Sequence, residues 1–338
     1  MRAPDLPDVF SRAQARSMGI GDVRLAGLVR RGEIERLRHG VYATARTEPL
    51  RPDERAARHV VCARAALSHH ASGFVASHLT AAAVHSLPLP LGPTGLVHIT
   101  AVDATQRTRS APGVQVHHAD SALADVAFVR GVAVTTVART VADCLRCYGA
   151  RVSVPIADAA LHHGLVAPQE IEEELDQQRC WAGRPRALRS LPLVDGRRES
   201  WLESYAYVLF DEWGLVLPEP QVWVDDSEGH ALGLGRVDGA WLEDATVLEL
   251  DGKAKYGEPA GVDVPRPWLV EKVRYDEMGN LGLERVRFSL DDLHGRPEAV
   301  RRTIRLRRSV GSRGRFTGSF RLTDPTGLRC LSVSDRSA

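Results

Sequence analysis

The chain has 338 residues, 43% of them hydrophobic and 26% charged. That is the balance of a soluble globular protein, and the length exceeds one ordinary core, so two or three domains are expected. No run approaches the roughly eighteen apolar residues of a membrane span, and the first residues lack a signal peptide's apolar segment; the expected place is the cytoplasm, with no membrane partner. Five scattered cysteines exclude a disulfide framework. The net charge of +1 conceals an asymmetry. Residues 1–45 hold eight Arg against five Asp/Glu, residues 296–321 hold nine Arg against one Glu, and an acidic run (Glu170 to Asp176) lies between them. Such separation suggests two basic surfaces able to meet phosphates, although either run alone reads equally as a solvated helix face.

From the start of the chain, Ser11 can cap a short helix that runs to Met18 and ends at Gly19. A second helix is predicted over Asp22 to Arg31, with Leu25, Leu28 and Val29 at helical spacing and Gly32 as its stop. Two alternating runs, 33–37 and 41–44, follow across the basic turn Arg38-His39-Gly40. Helix, turn, helix and hairpin make a winged helix-turn-helix pattern over residues 1–50. In that pattern the second helix enters the major groove, bringing Arg24, Arg30 and Arg31 to phosphates or base edges, while Arg36, Arg38 and His39 lie on the wing. A helical hairpin serving only protein contacts is the plainer alternative. The phrases from Val9 to Gly19 and from Arg31 to Tyr42 resemble the N-terminal domain of AbiEi-type antitoxins. The resemblance implies a winged helix that binds the protein's own promoter, and a cognate toxin protein as partner.

Residues 55–190 mix helical and strand patterns, with helices over 65–69 and 77–88, strands over 96–100, 114–117 and 132–135, and a helix over 136–145. These phrases are similar to the AbiEi region that follows the winged helix. Cys144 and Cys147, at i and i+3 on one helix face, read as core packing rather than as half a zinc site. His78 and His85 are seven apart on one helix face, where metal ligands could sit, but no carboxylate or Cys at ligand spacing accompanies them. No phosphate-loop or dinucleotide motif occurs. This middle region does not disclose a function by itself.

The last domain, residues 199–308, reads helix (201–213), strands (221–224, 234–241, 246–253), helix (268–278), strand (285–289) and helix (298–308), with the third and fourth strands suited to a parallel crossover. From residue 309 onward a loose tail is expected. On the strand Val247–Lys253, alternation puts Glu249, Asp251 and Lys253 on one face and Leu248 and Leu250 on the other. Ionisable groups so placed need partners or a metal. A short turn can bring Asp238 beside them, and Glu203 of the preceding helix can add a further acid. Oxygen ligands of this kind suit Mg²⁺ or Mn²⁺, which would activate water and offset charge on a phosphate, with Lys253 assisting. Only three lysines (253, 255, 272) stand against 41 arginines, and two of them fall here, where a compact point charge would be useful.

Asp238 with Asp251-Gly-Lys253 resembles the PD-(D/E)XK nuclease pattern, and residues 199–308 resemble the domain of very-short-patch-repair (Vsr-like) endonucleases. By that likeness Asp238, Asp251 and Glu249 are the metal ligands, Lys253 the catalytic lysine, and Glu203 and Glu249 auxiliary acids. Two departures stand out: Val237 replaces the usual Pro, and Glu249-x-Asp251 overlaps Asp251-x-Lys253, leaving the main ligand open. The expected architecture is multidomain α+β: a winged helix-turn-helix, a mixed α/β middle and a nuclease-type α/β core. The expected function is a DNA-binding, metal-dependent endonuclease. The alternative is a non-enzymatic, antitoxin-like transcriptional regulator on a degenerate nuclease fold.

Overall fold

Local chemistry starts the first helix. Ser11 accepts from Gln14 N–H at 3.2 Å while Gln14 Oε1 accepts from Ser11 N–H at 2.8 Å, a reciprocal cap. The computed structural model describes residues 6–45, 51–69, 73–90, 95–102, 112–118, 126–226, 235–252 and 276–322. The chain divides into two units, residues 1–156 with 169–189, and residues 157–168 with 190–338.

Unit 1 begins with β1 (Val9–Ser11), α1 (Arg12–Ser17), α2 (Asp22–Arg30), β2 (Ile34–Arg38) and β3 (Val41–Thr44). The strands form an antiparallel sheet in the order β1-β3-β2, with Phe10 opposite Tyr42. The sequence reading does not find β1, since three residues are too few to show alternation. Phe10, Ala15, Ile20, Leu25, Leu28 and Ile34 fill a small core between sheet and helices. There follow α3 (Pro52–His69), β4 (Phe74–Ala76), α4 (His78–Val84), β5 (Val97–Ala101), β6 (Val114–His118), β7 (Val126–Val129), β8 (Val132–Thr135) and α5 (Val137–Cys147). Their mixed sheet runs β6-β5-β4-β8-β7, parallel at β5/β6 and β4/β8 and antiparallel at β4/β5 and β7/β8. Val60, Ala63 and Ala66 of α3 pack on this sheet. The later helices are α6 (Ala150–His162), whose residues from 157 on belong to unit 2, α7 (Pro168–Gln177) and α8 (Arg184–Ser190).

Unit 2 carries α9 (Trp201–Glu212), β9 (Glu219–Asp225), β10 (Arg236–Trp241), β11 (Thr246–Asp251), β12 (Glu284–Ser289), α10 (Leu290–Gly295), α11 (Pro297–Gly311) and β13 (Ser319–Arg321). The sheet order is β12-β11-β10-β9-β13, and only the β11/β12 pair is parallel, from Thr246↔Glu284 to Asp251↔Ser289. One face packs Leu248, Leu250, Val286 and Phe288 against α9; the other buries Val222, Val224, Val237 and Val247 with Met278 and Leu283. Instead of a loose tail from 309, α11 continues to Gly311 and Ser319–Arg321 joins β9 as an edge strand. The backbone explains part of that anchoring: a Cβ on Gly311 would lie 1.9 Å from Asp244 O, so only glycine lets α11 approach so closely. Most of the helix expected over 268–278 lies outside the described residues. The architecture is mixed α+β with several sheets, and no described helix is long and apolar enough to cross a membrane.

Candidate nucleic-acid interface and carboxylate cluster

With Leu25 and Leu28 fixed in the core, the helical period turns Arg24 and Arg30 of α2 outward, and both are exposed. Arg31 is exposed too but pairs with Glu33. At the hairpin, Arg36 Nη2 lies 2.8 Å from His39 Nδ1, and both side chains are exposed. Arg38 departs from the wing role expected of it. Its Nη1 donates to Cys62 O of α3 at 2.9 Å, and burial lowers its pKa from the ordinary guanidinium value. A register shift between Arg36 and Arg38 accompanies this inward turn. Arg58 of α3 then fastens the first sheet: its guanidinium donates to Asp8 at 2.8 and 3.1 Å, to Glu35 at 2.7 Å and to Thr44 O at 3.3 Å. The outward basic side chains are therefore Arg24, Arg30, Arg31 and Arg36, with His39 beside Arg36, held on a braced hairpin and helix.

In unit 2 the acids predicted to gather do lie on neighbouring elements, each with a protein partner. Asp238 Oδ2 accepts from Leu250 N–H at 2.7 Å, so its carboxylate extends the β10/β11 ladder beyond the Gly239↔Leu248 pair. Asp251 holds Arg287 of β12 through two bonds, Oδ2 to Nε at 2.5 Å and Oδ1 to Nη2 at 2.7 Å. Glu249 lies across from Arg287 in the parallel register. Glu203 is buried and accepts from Gln221 Nε2 and Ser200 Oγ, both at 2.6 Å, and from Glu199 N–H at 3.0 Å. Its own N–H donates to Ser200 Oγ at 3.2 Å, so it is tied to the start of α9 rather than facing open space. Gln221 has a left-handed φ of 55° where β9 passes Asp238. That side-chain bond to Glu203 is what orients it. Lys253, with Lys255 and Lys272, lies outside the described residues.

These commitments test how well the cluster fits a divalent metal. An Arg287 guanidinium already occupies the cationic place beside Asp251, and among the described residues no group of three His, Cys, Asp or Glu is arranged to hold a metal ion. Behind the carboxylates lies a buried polar core that sequence patterns do not mark. Asp158 accepts from Asp195 N–H at 2.7 Å and lies 3.2 Å from Arg198 Nε. Burial pushes the Asp158 carboxyl up to about 7, against the pull of Arg198 and Ser204. Burial acts on Asp195 too, but there Arg197 and Arg198 outweigh it and its pKa falls. Tyr207 donates to Asp238 O at 3.2 Å, and burial keeps its phenol protonated.

In the middle region, the two histidines considered as a pair do different things. His85 Nε2 lies 2.7 Å from Thr135 O, whereas His78 stacks on His117 with ring centroids 3.7 Å apart. Cys144 is buried in the core, but Cys147, one turn on at the end of α5, is exposed.

Comparison with known proteins agrees with a regulator-type start. Residues 2–45 match the family described as transcriptional regulator, AbiEi antitoxin. Over 270 residues, 80% of this chain and 90% of each relative, the sequence is 30% identical to uncharacterized proteins Rv2248 (strain H37Rv) and MT2308 (strain CDC 1551) of Mycobacterium tuberculosis. The chain belongs to the family of those two proteins. The crystal structure of the RV2827C protein from Mycobacterium tuberculosis is 19% identical, covering 55% of this chain and 72% of that one, with a TM-score of 0.35.

Proposed function

We propose that this protein is a DNA-binding transcriptional regulator of antitoxin type, whose residues 6–45 act as a winged helix-turn-helix. The observation that carries the reading is the outward set Arg24, Arg30 and Arg36 on a helix and hairpin braced by Arg58, within the segment that matches the regulator family. The α2 helix would lie in the major groove, with the β2–β3 hairpin against the flanking backbone. The partners are DNA and, by the antitoxin likeness, a cognate toxin protein. Fluorescence anisotropy with the DNA upstream of the protein's own coding sequence tests this across a salt series. Each phosphate neutralised contributes about −0.9 to the log–log slope, so Arg24→Ala, Arg30→Ala and Arg36→Ala should each flatten it by about that amount. Arg38→Ala should leave the slope unchanged, because its guanidinium serves Cys62 O. A triple Arg24, Arg30, Arg36 variant that binds with the wild-type slope would defeat the proposal.

A second reading, cleavage of DNA with Mg²⁺ or Mn²⁺, is favoured by the placing of Asp238 beside the Glu249 and Asp251 row. The engagement of Asp251 by Arg287 weighs against it. Supercoiled plasmid incubated with either ion should remain intact; nicking that disappears in Asp251→Ala and Lys253→Ala would make this reading the better one.

A further inference from the structure

In unit 1, apart from the arginines of α2, β5 and β6 turn one polar face toward the start of α4 and toward α5. The parallel register sets Thr100 beside His117, with His98 on the same face two residues earlier. A cavity of about 410 Å³ opens there, lined among others by His78, Thr100, His117, His118, Arg139 and Arg146. Thr100 is only 5% exposed, and its Oγ1 is buried with no hydrogen-bond partner. An unsatisfied hydroxyl at the wall of a cavity is costly unless something there accepts its proton.

Tyr148 Oη lies 3.3 Å from His98 Nε2, and where Tyr148 donates, His98 carries its proton on Nδ1. His98 Nδ1 is then the N–H that donates to His117 Nε2, at 3.0 Å. Burial above all, and then neighbouring positive groups, keeps His78 and His98 neutral at pH 7, and burial does the same for His117. A neutral His117 whose Nε2 accepts must carry its proton on Nδ1. Opposite stand Arg139 and Arg146, which share the Asp143 carboxylate; Arg139 Nε donates at 2.9 Å, Arg146 Nη2 bonds the other oxygen, and Glu174 Oε1 lies 3.6 Å from Arg139 Nη1. Both guanidinium groups stack on Trp181, 4.4 and 4.9 Å from its centroid. His78 completes the wall from a left-handed backbone (φ 53°), uncommon for residues other than glycine.

We propose that this cavity binds an oxyanion of the phosphate class, either a free phosphomonoester or the terminal phosphate of a nucleic-acid strand. Thr100 O–H and His117 Nδ1–H are the donors, beside the Arg139 and Arg146 guanidinium groups that Asp143 and Glu174 pair. Among the described residues no group of three His, Cys, Asp or Glu is arranged to hold a metal ion. The proposal does not depend on DNA binding by α2.

The experiment is calorimetric titration of the full chain with inorganic phosphate, against chloride at matched ionic strength, with the histidine ring nitrogens followed by NMR. Saturable binding that shifts the His117 signals is expected. Thr100→Val should weaken it about tenfold, the loss of one hydrogen bond to a charged group, and Thr100→Ser should restore it. His118→Ala, at an exposed position less able to disturb folding, should weaken it as well. Oligonucleotides with and without a 5′-phosphate separate the sources. A phosphate-dependent preference that inorganic phosphate competes away supports a strand end, whereas inorganic phosphate binding without that preference supports a small phosphomonoester. No saturable response beyond that to chloride, or a folded Thr100→Val chain that binds phosphate as tightly as wild type, overturns the proposal.

Discussion

Acid should act on the two units in opposite directions. His59 is buried against Thr80 Oγ1 at 2.8 Å, and burial lowers its pKa from 6.5 to about 4. His98 falls to about 4 as well, through burial and then the neighbouring His117 and His59. Between pH 6.5 and about 4 the unfolded chain holds protons that the folded chain excludes. The contribution of these imidazoles is therefore whole above that window and is lost as the pH falls through it. Each proton excluded is worth at most about 3 kcal/mol at the acid end. Two such terms compare with the roughly 5–15 kcal/mol that holds a domain together, so unit 1 should unfold near pH 4 to 5. Asp158 of unit 2 has the reverse sign: its folded pKa is raised to about 7 from 3.8, so its folded state gains stability as the pH falls between those values. Urea unfolding at a series of pH values, read from amide NMR signals of each unit, tests both. His59→Gln should remove up to about 1.4 kcal/mol per pH unit from the slope of unit 1. A flat unit 1 midpoint from pH 6.5 to 4, or a His59 ring that titrates near 6.5, would refute the reasoning.

Three further outcomes are expected. Arg58→Met should cost about 1–3 kcal/mol, because Asp8, Glu35 and Thr44 O lose a common donor; thermal unfolding measures the cost, and faster proteolysis within residues 6–45 locates it. Gly183→Ala should destabilise by about 2 kcal/mol or more, since φ is +87° and the new Cβ would lie 2.3 Å from Arg146 O. Gly164→Ala, also left-handed (φ +62°) but with nothing within 4 Å, should cost only about 1 kcal/mol, and equal losses at the two sites would refute the steric account. A double-mutant cycle on Asp251 and Arg287, whose side chains are 38% and 26% exposed, should give a coupling of about 1 kcal/mol or less; a much larger value would mean the pair is a buried structural lock.

Much of the local structure is legible in the sequence because its causes are local. The Ser11 cap, the Leu25 and Leu28 spacing and the glycine stops place α1 and α2; alternation places β11 and its acidic face; the order of apolar runs gives a mixed α+β chain. What those residues do was settled by partners far along the chain, which no window of sequence contains. Arg38, spaced like a wing residue, spends its charge on Cys62 O. Asp251, spaced like a metal ligand, is taken by Arg287, 36 residues away. Glu203 is claimed by its own helix cap and by Gln221. The middle region shows the converse. Its histidines look scattered, yet a parallel β5/β6 register and the entry of α4 stack His78 on His117 and leave Thr100 unpaired beside them. Periodicity and capping act within a few residues, so sequence alone determined where the elements form; hydrogen-bond pairing and desolvation act through space, so only the tertiary structure decided which charges stay free.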